Sequence, residues 1–379
     1  MGDIGNPIRR VRRATDSKSR GAKQNVPQID SLLEFVVEME ASDLHLAAGM
    51  APTVRVDGEL SPIPDAPVLD AEMSQRLVAS VMSAEQKEEF EQEWELDFSF
   101  GRRGLGRYRV SAFHERGDVA AVLRRIPDQP LQLDELGLPH IVGNLAMLKQ
   151  GLVLVTGPSG AGKTTTLTAI IDKINRERNV HIITIEDPIE FVHANSRAIV
   201  QQREVGKDTT AFARAVRSAL REDPDVLLIG EMRDLETIAA TVSAAETGHL
   251  VFATLHTNSA PQSIDRIVDA FPPHQQTQIR LQLAETLQAV VSQRLVPMVD
   301  GRRVCVAEVL VVNDAIRNLV REGKTHQIES AMQIGRKEGM VVFDMRLADL
   351  VRQRRVSHEV AMAYCMDPRS FGSRLAVGE

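Results

Sequence analysis

The sequence is poor in cysteine, in aromatic side chains and in long apolar runs, and each shortage closes off a class of protein. Cys305 and Cys365 are its two cysteines. They form no metal-ligand spacing and no disulfide framework, so a cytosolic compartment is the simplest expectation. Aromatics make up 4% of the 379 residues, with one tryptophan and two tyrosines, so the interior has to be built from Leu, Ile, Val, Ala and Met. No run of about eighteen apolar residues occurs, and none of the stretches present could cross a bilayer as a helix. The charges of the opening MGDIGNPIRRVRRATDS are not followed by the apolar stretch a secretory signal needs.

A general excess of basic charge is also missing. The formal net charge is −7 and unevenly spread. Residues 1–25 hold seven basic side chains against Asp3 and Asp16, a net of +5, which leaves −12 for the rest. An acidic body is not that of a dedicated nucleic-acid binder, and no nucleic-acid partner is expected. With almost nothing apolar to bury, residues 1–27 read as a disordered basic tail, whose charge could meet an anionic partner or lipid surface.

Order is expected from Ile29. Ile29, Leu32, Leu33, Val36 and Val37 recur at helical spacing. DLHLAAG begins a strand, and PTVRVDGELSPI reads as two short strands about an Asp57-Gly58 turn. Helices follow over about 70–82 and 83–95. Alternation through Tyr108, Val110 and Ala112, then Val119, Ala121 and Leu123, marks strands between Gly-rich turns. Residues 28–126 thus form a smaller α+β domain. IPDQPLQLDELGLP has the composition of a linker, placed at 127–139. From 140 to 379 the pattern becomes strand-then-helix. GLVLVTG, HIITIED, DVLLIGE and HLVFATLHT are short apolar strands, with helices such as 208–222 and 234–246 between them. That pattern calls for an α/β domain with a largely parallel sheet covered on both faces. The chain from Asp314 onward reads as helical.

One motif carries chemistry without help from the rest. GPSGAGKTT supplies Gly157, Gly162, Lys163 and Thr164 at the spacing of a phosphate-binding loop, between an apolar strand and a helix. Its glycines let the backbone curl until N–H groups point at phosphate oxygens, and the helix start adds partial positive charge. Gly157, Pro158, Ser159, Gly160, Ala161, Gly162, Lys163, Thr164 and Thr165 are therefore the expected nucleotide-binding set. Lys163 can bridge the outer phosphates of ATP, and the Thr164 hydroxyl can ligate Mg²⁺. Downstream, two strands end in carboxylates, Glu186, Asp187 and Glu190 in the first and Glu231 and Asp234 in the second. Strand ends beside such a loop face the crevice where nucleotide sits; there one carboxylate can hold the metal's water shell and another the attacking water. His249 and His256 flank a fourth strand. With no cysteine pair beside them, zinc is not expected.

Together these segments resemble the secretion-ATPase superfamily of type II secretion and type IV pili. In that family's terms GPSGAGKTTT is the Walker A motif, TIEDPIEF the Asp box, LIGEMRD the Walker B motif and GHLVFATLHTNSA the His box. The resemblance extends from about Ile29 to Phe371. Within the superfamily the chain is most similar to the ATPases of pilus retraction, on AIRNLVREGKTHQIESAMQIG and its core Ala315, Ile316, Arg317 and Asn318. The four-cysteine zinc element common in secretion and extension ATPases is absent.

The resemblance implies a RecA-like ATPase domain preceded by a PAS-like domain, with ATP and Mg²⁺ as cofactors. It implies Glu186 as catalytic base, Glu231 as the Walker B carboxylate on the metal, and His249 and His256 as phosphate-sensing or coupling residues. Arg109 and Arg124 of the smaller domain would reach the phosphates when the domains close, with Arg107 and Arg125 as neighbouring alternatives; arginine's planar fork suits that contact. It further implies a homohexamer at the cytoplasmic side of the inner membrane at the pilus base. The partners would be an inner-membrane platform protein and a companion retraction ATPase.

Overall fold

The computed structural model describes residues 27–56, 58–126, 130–369, 371 and 372. The basic tail up to residue 26, Asp57 of the hairpin turn and linker residues 127–129 lie outside the described residues. The chain divides between Gln129 and Pro130 into two compact units.

The amino-terminal unit opens with α1 (Ile29–Glu38), whose Ile29, Leu32, Leu33 and Val36 are buried. Six strands follow: β1 (Asp43–Leu46), β2 (Thr53–Val56), β3 (Glu59–Pro62), β4 (Glu95–Arg102), β5 (Gly106–Glu115) and β6 (Asp118–Ile126). Between β3 and β4 lie α2 (Ala71–Ala79) and α3 (Ala84–Glu93). Asp70 caps α2, and Ser83 with Gln86 forms a capping box on α3. The sheet order is β3-β2-β1-β6-β5-β4, antiparallel throughout. Because side chains alternate across a strand, Leu44, Val54, Val110 and Leu123 pack inward with the helices. The next residues along, Asp43, Arg55, Arg109 and Arg124, form a transverse row on the other face.

The carboxy-terminal unit begins with a short 3₁₀ turn at Leu133–Leu136 and α4 (Ile141–Leu145). Its seven-stranded sheet holds β7 (Gly151–Thr156), β8 (His181–Glu186), β9 (Ile199–Glu204), β10 (Val226–Ile229), β11 (Leu250–Leu255), β12 (Leu287–Pro297) and β13 (Arg303–Val311). The order is β13-β12-β7-β11-β10-β8-β9, parallel except for the antiparallel β12–β13 pair. The sheet is thus mixed but largely parallel. Helices α5 (Lys163–Glu177), α6 (Phe212–Ala219), α7 (Leu235–Glu246), α8 (Ala260–Asp269) and α9 (Pro273–Thr286) supply the crossovers and covering layers. Leu152, Leu154, Ile183, Ile185, Leu227, Ile229 and Val251 face one apolar layer. Val153, Val155, Ile182, Val226, Leu228 and Phe252 face the other.

Helices close the chain: α10 (Asp314–Arg321), α11 (Ile328–Ile334), α12 (Phe343–Arg352) and α13 (His358–Tyr364). The Ala315–Asn318 signature lies in α10. There Ile316 is fully buried, and Arg317 donates to the carbonyls of Ala284 and Glu285 in the last turn of α9 (both 3.3 Å), where those carbonyls lack helical partners. Among the described residues no helix is long and apolar enough to cross a membrane.

Candidate active site

Strand β7 is buried along its whole length, and the chain leaves it in a loop that only glycine could make. Gly157 has φ +146°, and a Cβ there would stand 2.3 Å from the backbone oxygen of Gln293 on β12. Gly160 and Gly162 have φ +75° and +86°, a region L side chains rarely adopt. Gly162 is the N-cap of α5, so the helix begins at Lys163 with its free N–H groups at the loop. Pro158, Ser159 and Gly160 are exposed, Ala161 is buried, Thr164 is half-buried and Thr165 exposed. Lys163 curls over the loop and donates from Nζ to the carbonyls of Gly157 (2.8 Å) and Pro158 (3.2 Å). Burial pushes its ammonium below the ordinary lysine range, while Glu231 and Glu190 pull the other way. Both carboxylates therefore stand close enough to act on it electrostatically.

Glu186 ends β8 and is buried. Thr184 Oγ1 donates to its Oε1 at 2.6 Å and Gln202 Nε2 to the same oxygen at 3.0 Å. Burial raises its carboxyl above the ordinary glutamate range despite those two donors. A carboxylate so placed is a better proton acceptor when ionised than one in water. Gln202, on β9, also donates to the carbonyl of Phe191 (2.7 Å), and its Oε1 accepts from the His193 N–H (2.8 Å). Its amide thus pins the segment after Glu186 against the carboxylate.

Glu231 follows β10. The Gly230 N–H donates to the Ile185 carbonyl (2.8 Å), and a Cβ at Gly230 would lie 3.1 Å from that oxygen and 3.3 Å from Glu186 Cα. Glycine is needed there because the two acidic strand ends approach backbone to backbone. Glu231 is paired with His256 Nε2 (2.9 Å) and Arg233 (2.7 Å). Burial works to raise its pKa, but the Arg233 hydrogen bond and the charges of His256, Arg233 and Lys163 hold it below the usual range. It is the more acidic of the two carboxylates. Asp234 turns away to cap α7, accepting from the Thr237 N–H (2.8 Å).

Parallel strands deliver Lys163, Glu186, Glu231 and His256 to one edge of the sheet, beyond the carboxyl ends of β7, β8, β10 and β11. His249 is not brought there. It precedes β11, and the strand's six residues, about 20 Å long, separate it from His256. Its Nδ1 lies 3.0 Å from the Ala244 carbonyl and 3.1 Å from Thr247 Oγ1. Two amides that no motif marks, Gln202 and Gln293, support the site from β9 and β12.

In the amino-terminal unit, Arg109 and Arg124 are directly opposed on β5 and β6. Arg124 Nε donates to buried Asp43 (2.9 Å), and Arg109 lies 3.7 Å from Asp97. Arg125 pairs across the ladder with buried Tyr108 and so sits on the opposite face. Arg107 shares the face of Arg109 and donates to Ser99 Oγ (2.8 Å). The described residues hold no cluster of His, Cys, Asp or Glu that could ligate a metal by itself. Any cation at this edge would need oxygens from its ligand, as a nucleotide-bound Mg²⁺ has.

The family model for type II/IV secretion system proteins matches residues 18–362. The chain is 47% identical over 343 residues to the type IV pilus retraction ATPase PilT of Pseudomonas aeruginosa, covering 90% of this chain and 99% of that one. It is 42% identical to the type IV pilus ATPase PilU of the same organism, covering 89% and 88%. The crystal structure of the pilus retraction motor PilT with bound ADP matches with a TM-score of 0.85 at 48% identity, covering 91% of this chain and 98% of that one.

Proposed function

The chain belongs to the type II/IV secretion system protein family, and from that premise we propose that it is the ATP-hydrolysing motor of type IV pilus retraction. The observation that carries the ATPase reading is the convergence of Lys163, Glu186 and Glu231 at one sheet edge. One is a cation on a phosphate loop, one a buried carboxylate of raised basicity, and one a carboxylate kept ionised by His256 and Arg233. The substrate is Mg-ATP. The fit is supported by the loop, whose N–H groups and Lys163 suit the phosphates and whose Gly157 leaves no room for a side chain. The Thr164 hydroxyl and Glu231 would hold the Mg²⁺ of Mg-ATP, which would supply neutralisation of phosphate charge there. Lys163 exchanges its two loop carbonyls for phosphate oxygens. Glu186 orients the attacking water and takes its proton, and Thr184 and Gln202 hold the carboxylate in place as it does so. His256, paired with Glu231, reports the state of the phosphates to the segment before α8. Arg109 and Arg124 contact phosphate when the amino-terminal unit closes on nucleotide.

The direction of force rests on the match over nearly all of PilT and on the Ala315–Asn318 signature. In this reading the chain works as a homohexamer in the cytoplasm, at the inner-membrane base of a pilus. It acts on a platform protein and alongside a PilU-type paralogue. Deleting the gene and counting surface pili tests it: retraction predicts hyperpiliated, non-twitching cells. Bald cells would assign the motor to extension instead.

A further inference from the structure

Gln293 is a primary amide in the middle of β12, 1% exposed. Two and three residues before it are Val291 and Val290, both fully buried. A buried amide is costly unless its donor and acceptor are both used, and here both are used by the same short segment of chain. Its Nε2 donates to the carbonyl of Ala161 (2.8 Å), and its Oε1 accepts from Thr166 Oγ1 (2.9 Å), itself buried. Ala161 and Thr166 bracket Gly162, Lys163, Thr164 and Thr165, the stretch that carries the helix N-terminus, the ammonium and the metal-directed hydroxyl.

The backbone of Gln293 takes part as well. Its carbonyl oxygen lies where a Cβ on Gly157 would be, 2.3 Å away, and its Nε2 would stand 3.3 Å from a Cβ on Gly162. Gly157 is therefore required because the loop lies against the backbone of this residue, while at Gly162 it is the positive φ (+86°) that favours glycine and the amide is only a close neighbour. The neighbouring Ser292 ties the foot of the loop from the other face of the strand, at 2.8 Å from Thr156 Oγ1.

We propose that Gln293 is a positioning residue for nucleotide, a clamp on β12 that holds the phosphate loop in its binding shape through Ala161 and Thr166. It touches no substrate. It reduces what the loop must give up in order to bind, because a loop already held in shape loses less freedom when phosphate arrives. This rests on the reading that the loop at Gly157–Thr165 receives the phosphates. The clamp is made entirely within the ATPase unit, so its loss affects capture of nucleotide more than the chemical step performed by Glu186.

The test uses the full chain, with a fluorescent ADP analogue for affinity, steady-state ATP hydrolysis, and melting without nucleotide. Gln293→Met keeps the length and shape of the side chain and removes both bonds. It should weaken ADP binding and raise KM for ATP about tenfold, the direction expected when the loop must be ordered at the moment of binding instead of beforehand. kcat should stay within about threefold and the nucleotide-free Tm within a few degrees. Thr166→Val removes one bond from the other side and should raise KM about threefold, which keeps the test alive if Gln293→Met does not fold. Unchanged KM in these variants, or a fall in kcat or Tm without a change in KM, overturns the assignment. Lys163→Ala serves as the control. Loss of ADP binding there supports the loop reading independently of Gln293, and wild-type affinity there overturns the loop reading itself.

Discussion

Glu308 sits on β13 directly across from Ser292, 5% exposed, and accepts a hydrogen bond from the N–H of Ala260 at the start of α8 (2.7 Å). Burial raises its carboxyl from 4.5 to about 7; the nearby acids Glu329 and Asp344 add to the rise, while the N–H groups of Ala260 and Phe343 oppose it. The folded-state value lies above that of the unfolded chain. Its contribution to stability is therefore full below the unfolded value and is lost as pH rises through about 7. At about 1.4 kcal/mol for each pH unit, the loss between pH 5.5 and 8.5 is on the order of 2 kcal/mol. Glu308→Gln keeps an acceptor for the Ala260 N–H and cannot ionise, so it should not show that loss. In a unit of this size about 2 kcal/mol corresponds to roughly 4–8 °C. Thermal melts of wild type and variant at the two pH values measure it, and every other titrating group cancels in the difference. The variant should gain on the wild type at pH 8.5 by that amount relative to pH 5.5. Parallel pH dependence in the two proteins would refute the argument that Glu308 is forced to ionise in an apolar setting.

Other consequences are as direct. Gly157→Ala places a methyl group against the Gln293 carbonyl and should remove the rise in Tm that ADP gives the wild type, read by melting with and without ADP. Asp43→Asn leaves Arg124 and Arg55 without their anion; both arginines are substantially solvated, so the cost to the amino-terminal unit should be about 1 kcal/mol, seen as an earlier melting transition. Arg109→Ala should lower ATP turnover of the full-length protein by about 10³ with ADP affinity unchanged; turnover equal to wild type would remove Arg109 from the reaction.

What was legible in the sequence was whatever a local run of residues decides. Leu152 to Val155 before a Gly-rich turn states both the strand and the loop, because glycine takes the positive φ of Gly160 and Gly162 without the steric cost a side chain brings. The hairpin of β12 and β13 was less apparent. Both strands are buried on both faces along most of their length, so they show no alternation, although Asp300-Gly301 between two Val-rich runs is a hairpin signal. Gln202 and Gln293 could not be found locally at all. Gln293 meets Ala161 across 132 residues, and what selects an amide there is a carbonyl and a hydroxyl that only the folded sheet brings together. His249 shows the converse. The resemblance of GHLVFATLHTNSA to the His box implied a role at the site for it, but in a parallel sheet the residue before a strand lies at the edge opposite the residue after it. For the arginines, period-two alternation separates Arg109 and Arg124 from Arg125 once the register of β5 and β6 is known.

Hydrolysis depends most on Glu186, the buried carboxylate held by Thr184 and Gln202 at the same sheet edge as the phosphate loop. Glu186→Gln retains the shape and the acceptor oxygen and removes the base. Phosphate release by the purified full chain with Mg-ATP, alongside ADP affinity, measures both halves of the claim. The account predicts ADP affinity within a few-fold of wild type and turnover reduced by about 10³ or more. Turnover near that of the wild type would contradict it.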